Sequence, residues 1–514
     1  MAPDTGWPKA PAIYEIYPRS FMDTNGDGIG DLAGITQRLD HVADLGVDAI
    51  WLAPFFVSPW KDGGYDVMDY TTVDPRLGTL DDFLRLVERA HELGLKVMID
   101  QVMNHTSASH PWFAAACAGD DEMAERYLFR DPKPDGSAPN NWMSFFGGPA
   151  WEWNHTREQY FFHQFLTSQP SLNLRHPAVK DELARQIGVW RERGVDGFRF
   201  DAVTAYLWDE SLADNPPASP EVKAKMSGPK FSPYAWQDHE FDMLPGDGAA
   251  YTENLRRWAG HDAYLIGEVG SGNRSFELAM RFSGPGRLDA AYTIDLPERA
   301  ATAPVIAEAV AQTDLMRFPS WLYSHDQPRP DAQVPAEMLR FKALLMAFLP
   351  GPWILYQGEE LGLYQPELTH DEVTDPFDLR FWPDGPGREN ARVPLPWETD
   401  APNMGFTTGT PWLPMRWTAA HVDNARAPGG MLEFYRTLLT LRRTLHWDTA
   451  RVAECAFGDD WITLTLACDH GSFRGHFAYP GSTAPFPDPA QDVVLAVADP
   501  GETDAARAVI WQLS

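Results

Sequence analysis

Gly194-Val-Asp-Gly-Phe-Arg-Phe-Asp201 is an apolar run that ends in charge. Residues 197–201 have the length and composition of a buried strand, and Gly194 follows an amphipathic stretch as a helix-ending glycine does. Arg199 and Asp201 are two positions apart, so the alternation of a strand puts both on one face. A carboxylate beside a guanidinium stays ionised at neutral pH. An ionised carboxylate at a strand end is a ready nucleophile. The same two residues also suit a structural ion pair, so the choice rests on the other strand ends.

Outward from this run, short apolar segments alternate with longer amphipathic ones. The pattern predicts strands at Ala12–Tyr17, Ala49–Ala53, Lys96–Asp100, Gly197–Asp201, Tyr264–Glu268, Asp289–Asp295, Trp321–His325 and Trp353–Gln357. Helices are expected at Ile35–Leu45, Leu80–Leu93, Pro177–Arg193, Tyr251–Trp258, Pro304–Gln312 and Glu337–Phe348, with Gly46, Gly94 and Gly194 as stops and Pro177 in a first turn. Eight strands interleaved with helices read as an α/β protein, a (β/α)8 TIM barrel. About 75 residues separate strand three from its helix, too many for a plain loop, and imply a small inserted domain. Alternating runs after the amphipathic segment Met431–Leu445 imply a C-terminal antiparallel β-sandwich domain. The expected division is barrel 1–104, inserted domain 105–174, barrel 175–446 and C-terminal β domain 447–514.

The chain has 514 residues and a formal net charge of −31, which argues against nucleic acid and anionic membrane as partners. Its three cysteines, Cys117, Cys455 and Cys468, form no zinc spacing and suit a reducing cytoplasm. No signal peptide and no run of 18 apolar residues is visible. Twenty Trp and 28 Phe lean only weakly towards carbohydrate, because aromatic side chains mostly fill cores. Nothing in the sequence sets the oligomeric state.

Four strand ends carry chemistry: Asp100-Gln-Val-Met-Asn104-His105, Arg199-Phe-Asp201, Gly267-Glu268 and Ser324-His325-Asp326. Barrel active sites form where such ends converge, and a merely structural network would need a partner for each buried charge. Paired carboxylates suggest glycoside hydrolysis, one ionised to attack and one protonated to release the leaving oxygen. Asp201 suits the first role. Glu268, after the apolar Tyr264-Leu-Ile-Gly, suits the second because burial raises its pKa. His105, His325, Asp201 and Asp326 could alternatively ligate zinc or manganese, although no metal-binding spacing accompanies them. Separately, the loop Asp23-Thr-Asn25-Gly-Asp27-Gly-Ile29-Gly-Asp31 offers oxygens at alternate positions to a structural Ca2+ or Mg2+. It begins like an EF-hand loop, but its twelfth position is Gly34 rather than Glu.

These motifs resemble the α-amylase superfamily (glycoside hydrolase family 13), and within it the α-glucosidases and oligo-1,6-glucosidases. The resemblance runs from Ile13-Tyr-Glu-Ile-Tyr-Pro-Arg-Ser-Phe21 to the C-terminal domain and rests also on Asp62-Gly-Gly-Tyr65-Asp66. It implies a retaining mechanism with Asp201 as nucleophile, Glu268 as acid/base and Asp326 as transition-state stabiliser. His105 and His325 would hydrogen-bond the glucosyl ring, Tyr65 would stack on it, and Arg199 would orient Asp201. Asp66 and Arg392, the latter in Gly387-Arg-Glu-Asn-Ala-Arg392, would pair to grip the non-reducing end and make the enzyme exo-acting. Phe146, Phe165 and Gln169 match pocket-lining positions, and the loop with Asp23, Asn25, Asp27, Ile29 and Asp31 would be the single metal site. Strand seven reads Ser-His-Asp where Asn-His-Asp is usual, and strand eight reads Gly-Glu-Glu where Gly-Asp-Glu is usual. Ala202, a small residue after the nucleophile, implies maltose-type α-1,4 linkages, whereas Val there goes with α-1,6. The expected substrates are short α-glucosides, with transglucosylation as a side activity. Sucrose hydrolase, sucrose isomerase and oligo-1,6-glucosidase remain alternatives on the same scaffold.

Overall fold

Seven parallel strands form one curled sheet in the order Ala290–Thr293, Tyr264–Val269, Gly197–Phe200, Lys96–Gln101, Ala49–Leu52, Ala12–Ile16 and Trp353–Tyr356. The computed structural model describes residues 6–226, 229–270, 274–385, 387–469, 471–484, 493–497 and 505–513. Five of the strands are buried at every position. That is what a parallel sheet covered on both faces requires, and it is why these runs read as apolar apart from Glu15 and Arg199. Helices follow at Leu32–Leu45, Leu80–Glu92, Pro177–Glu192, Pro245–Ala259, Ala303–Gln312 and Ala336–Phe348. Gly46, Gly94 and Gly194 sit at φ of 92°, 79° and 92°, the left-handed backbone that lets each helix stop and turn into its strand. The helix Ser275–Phe282 escapes the sequence reading. It is short, and its N-cap Arg274 makes no side-chain capping bond.

The expected seventh strand, Trp321–His325, is reduced to a single parallel bridge between Ser320 and Trp353. The gap beside the sixth strand is closed by a side chain instead, with Trp321 Nε1 donating to Thr293 O at 3.1 Å. The chain turns too early for a ladder. Ser324 bridges Gln327, and Ser324 Oγ accepts from Asp326 N at 3.1 Å. The unusual serine of this strand end therefore holds the turn that presents Asp326.

Between the third strand and Pro177 lie two short helices and an antiparallel sheet of Phe129–Arg130, Gln159–Phe162 and Trp151–Asn154. Its aromatics pack on one another, with Trp142, Trp151, Phe162 and Trp208 in one buried cluster. Much of the aromatic load is thus core. Trp51, Trp190, Trp321, Trp353 and Trp447 are also enclosed. The C-terminal antiparallel domain is a sheet of five strands, Arg451–Phe457, Trp461–Cys468, Gly471–Ala478, Arg507–Leu513 and Val493–Val497. Among the described residues its second layer is helical rather than another sheet. Phe477 meets Phe341 and Phe348 of the helix Ala336–Phe348. No described helix is long and apolar enough to cross a membrane.

Candidate active site

The fourth strand carries Arg199 into the barrel mouth, where its side chain is 1% exposed. Nη1 lies 2.8 Å from Asp100 Oδ2 and 2.7 Å from Asp201 Oδ1, and Nη2 lies 2.5 Å from Glu268 Oε2. Strands three, four and five are adjacent in the sheet, so one buried cation answers three carboxylates. Arg199 does pull on Asp201 as expected, but burial outweighs it. Asp201 is pushed up to about 6 by burial, against Arg199 and with the aid of Asp100 and Asp326. Glu268 rises further, to about 7, by burial and the nearby Asp201, again against Arg199. Both carboxyl groups are thus raised by burial, Glu268 the further of the two.

Asp326 lies in a different field. Arg392 Nη2 reaches Asp326 Oδ1 at 2.6 Å, Arg388 Nη1 reaches it at 3.2 Å, and His325 Nε2 lies 3.0 Å from Oδ2. Burial pushes Asp326 up, but these three cations hold it well below the usual carboxylate range.

The two histidines differ in charge. His105 is lowered to about 4 by burial, so it is a neutral imidazole. Its ring nitrogens meet Asn104 Oδ1 and the Tyr65 carbonyl, both at 3.1 Å. His325 is also pushed down by burial, yet Asp326 and Glu15 overcome this and raise it to about 9. Its Nδ1 lies 2.5 Å from Glu15 Oε1. Tyr65 stacks on the His325 ring and donates to Asp100 Oδ2 at 2.9 Å. Glu15, on the first strand, is a site residue that the sequence reading missed. Its signal is a lone acid inside the apolar run Ile13-Tyr-Glu-Ile, which in a buried strand demands a partner.

The expected pair of Asp66 and Arg392 does not form. Asp66 is fully buried and accepts from Ser58 Oγ, Lys61 N and Asp62 N. It shapes the turn that presents Asp62. Arg392 is spent on Asp326, Asp375 and the His325 carbonyl. The ion pair across the pocket is Asp62 with Arg388, at 2.6 Å. Each member of this pair lies four residues upstream of the expected one, inside the same motif. Gln169 braces this pair, with Nε2 2.8 Å from Asp62 Oδ2. The Arg388 guanidinium lies 5.0 Å from the Phe146 ring centroid, and Phe165 packs beside His105. Tyr65, His105, Phe146, Phe165, Asp201, Glu268, Asp326, Asp62 and Arg388 line one cavity of about 110 Å3.

Ala202 has φ 42° and ψ 47°, left-handed backbone that a β-branched residue tolerates poorly. Its N–H faces Glu268 Oε2 at 3.3 Å.

The loop at 23–31 folds on its own side chains. Asp23 accepts from the N–H groups of Asn25, Gly26 and Gly28, and Asp31 caps the first helix through Gly34 N at 2.6 Å. Asp23 and Asp31 are buried, Asn25 and Asp27 exposed, and Ile29 intermediate. Burial raises Asp31, and Asp23 adds to that rise. No Lys, Arg or His ion pair reaches either acid among the described residues. Oxygens of Asp23, Asn25 and Asp31 are the donor type a hard cation takes, and each already accepts a hydrogen bond within the protein. Among the described residues no group of three or more His, Cys, Asp or Glu is arranged as a metal site, so neither Asp23, Asp27 and Asp31 nor the zinc or manganese alternative at His105, His325, Asp201 and Asp326 gains support from such a cluster.

A model of the α-amylase catalytic domain matches residues 15–448. A probable α-glucosidase of Rhizobium meliloti (strain 1021) is 42% identical over 471 residues, covering 86% of this chain and 84% of that protein. An oligo-1,6-glucosidase of Heyndrickxia coagulans is 32% identical over 495 residues, covering 86% of each. The crystal structure of an α-glucosyl transfer enzyme, XgtA, superposes with a TM-score of 0.90 at 36% identity, covering 98% of this chain and 99% of that one. With its acidic strand ends gathered around Arg199 and this match across most of its length, the chain belongs to the α-amylase family of glycoside hydrolases, on its α-glucosidase and oligo-1,6-glucosidase side.

Proposed function

We propose that this enzyme is a retaining, exo-acting α-glucosidase. It releases glucose from the non-reducing end of short α-glucosides, prefers maltose-type α-1,4 linkages, and transfers glucose to other hydroxyls as a side reaction. The observation that carries this reading is the single guanidinium of Arg199 bonded to both Asp201 and Glu268. Carboxyl groups bridged by one side chain leave little space for the water that an inverting enzyme holds between its acid and base.

The groups then divide the work. Between pH of about 6 and about 7, Asp201 is a carboxylate and Glu268 an acid. Asp201 attacks the anomeric carbon while Glu268 gives its proton to the leaving oxygen. A glucosyl ester on Asp201 results. Water or another hydroxyl then attacks that carbon, giving its proton back to Glu268 and releasing Asp201. Asp326, held ionised by Arg388, Arg392 and His325, stabilises the positive charge that develops on the ring. The Asp62–Arg388 pair closes the far end, which supports release of one terminal unit rather than internal cleavage.

Ala202 supports the linkage preference, since it stands between the attacking and donating carboxyl groups and offers only a methyl to the aglycone. The loop at 23–31 is proposed to hold one Ca2+ or Mg2+ through Asp23, Asn25, Asp27, the Ile29 carbonyl and Asp31, away from the chemistry. The three unpaired cysteines support a cytoplasmic setting. The test is product analysis by NMR on maltose, isomaltose, sucrose and trehalose. Maltose should be cleaved fastest. On sucrose, whose only glucose is the transferred unit, the glucose should appear first as the α anomer; its first appearance as the β anomer would remove the retaining mechanism.

A further inference from the structure

Glu15 on the first strand is wholly buried and does not line the glucosyl cavity. His325 does not line it either, but it joins Glu15 to two groups that do, Tyr65 and Asp326. The surroundings of His325 fix where its protons are. Nδ1 lies 2.5 Å from Glu15 Oε1, and that oxygen also takes the His325 backbone N–H at 3.3 Å, so it is an acceptor. Nε2 lies 2.6 Å from the Tyr65 hydroxyl and 3.0 Å from Asp326 Oδ2. Tyr65 gives its one hydroxyl proton to Asp100 Oδ2 at 2.9 Å and accepts from Arg199 Nη1 at 3.4 Å, so its oxygen is an acceptor as well. Asp326 is a carboxylate paired with Arg388 and Arg392. Both ring nitrogens therefore face acceptors, which only an imidazolium satisfies.

The ring's other neighbours suit that charge. Tyr65 and Tyr17 lie nearly parallel to His325, with centroids 5.2 and 6.0 Å away and tilts of 7° and 8°. Aromatic faces at this range favour a cation. Trp51, the register partner of Glu15 on the second strand, meets the ring edge-on. Arg392 is the remaining charge against this residue, and it donates to the His325 carbonyl at 2.8 Å. Among the described residues no second ion pair reaches Glu15, and its Oε2 is buried without a partner. A carboxylate so enclosed needs its one cation.

We propose that Glu15 is a positioning residue for glucosyl transfer: it keeps a proton on both nitrogens of His325, whose Nε2–H then ties the Tyr65 hydroxyl to Asp326 across the cavity wall. This rests on the glucosidase reading and adds what holds its stabilising carboxylate in place. In a neutral ring the remaining proton stays on Nδ1, beside Glu15. The Nε2 lone pair then faces the Asp326 carboxylate and the Tyr65 oxygen, and Asp326 loses one of its three cations. Repulsion at that point displaces the carboxylate that must meet the charge developing on the sugar.

The test is made at alkaline pH, where the imidazolium loses its proton. Burial pushes His325 down, but Asp326 and Glu15 raise it to about 9. Glu15→Gln keeps the shape and removes the anion, so His325 should become neutral at least about one pH unit earlier. The donor is α-glucosyl fluoride, whose leaving group needs no proton, so ionisation of Glu268 does not mask the result. Single-turnover fluoride release by the wild type should hold until the pH nears about 9. In Glu15→Gln it should fall at least about one unit earlier, whereas Glu15→Asp, which keeps the charge, should keep the wild-type limb at a lower rate. NMR of enzyme labelled at the histidine ring nitrogens reads the charge directly, with the His325 signals identified by their loss in His325→Asn. Both should report protonated nitrogens in the wild type at a pH of about 7.5. A neutral His325 there, or an alkaline limb that Glu15→Gln leaves unmoved, overturns the proposal. Absence of fluoride release by the wild type overturns the glucosidase reading instead, and the NMR spectrum still decides the charge that Glu15 is proposed to hold.

Discussion

On one side of Glu268 the wall is made of charge: Asp201, Arg199, Asp326, Arg388 and Asp62 meet within one bonded network. On the other side it is made of methionines and aromatic rings. The two walls serve opposite needs. A glucosyl ring must be gripped by its hydroxyls and distorted, which takes fixed ions in a water-poor cavity. A leaving group or acceptor must only be admitted, oriented and released, which shape and apolar area can do. Fixed charge therefore belongs to the half of the site that holds the reacting carbon.

Removing the charged wall should have the largest effects. Asp201→Asn should lower kcat on every glucoside by on the order of 10⁴ to 10⁶. Glu268→Gln should cost about 10² to 10⁴ on maltose, but far less in the first step with α-glucosyl fluoride, which needs no proton. Equal losses on both donors would break the assignment of Glu268 as acid.

The clamp comes next. Arg388→Ala leaves Asp62 and Asp375 buried without their shared cation. It should lower kcat/KM on maltose about 100-fold. Asp66→Asn should act mainly on stability, because Asp66 holds a turn. A thermal melt beside steady-state kinetics separates the two, and a larger kinetic effect from Asp66 than from Arg388 would restore the pairing expected from sequence.

The pH profile sharpens the comparison further. Below about 6 Asp201 takes up a proton and the nucleophile is lost; above about 7 Glu268 loses its proton and the acid is lost. kcat/KM on maltose should therefore trace a narrow bell with limbs near these values. In Glu268→Gln assayed with α-glucosyl fluoride the alkaline limb should vanish and the acid limb remain.

Smaller effects are expected at the boundary and far from it. Ala202→Val forces a branched side chain into left-handed backbone beside Glu268. It should lower the maltose-to-isomaltose rate ratio several-fold, read from the two disaccharides assayed in parallel. Exhaustive chelation should lower Tm by roughly 2–5 °C if the loop at 23–31 binds its cation, with kcat at 25 °C unchanged and Tm restored by Ca2+ or Mg2+.

The same division explains what could be read from the chain. The barrel was legible because its strands are buried on both faces, so Ala49–Leu52 and Trp353–Tyr356 appear as unbroken apolar runs. The charged wall was legible because it sits at those strand ends. Choosing Asp62 over Asp66, or Arg388 over Arg392, was not possible from spacing. Both members of each motif are buried and bonded, and only the path of the turn decides which faces the cavity. The seventh strand misled because Trp321–His325 has strand composition but spends its length on a turn. The apolar wall was illegible throughout. Met143, Met226 and Met243 come from separate loops, carry no spacing signal and look like ordinary core.

The most direct measurement is mass analysis of the Glu268→Gln enzyme after brief exposure to α-glucosyl fluoride. That variant can form the glucosyl ester but lacks the base that clears it. The account predicts that the peptide containing Asp201 gains one glucosyl unit. Steady consumption of fluoride with no adduct, or an adduct on any other residue, would contradict it.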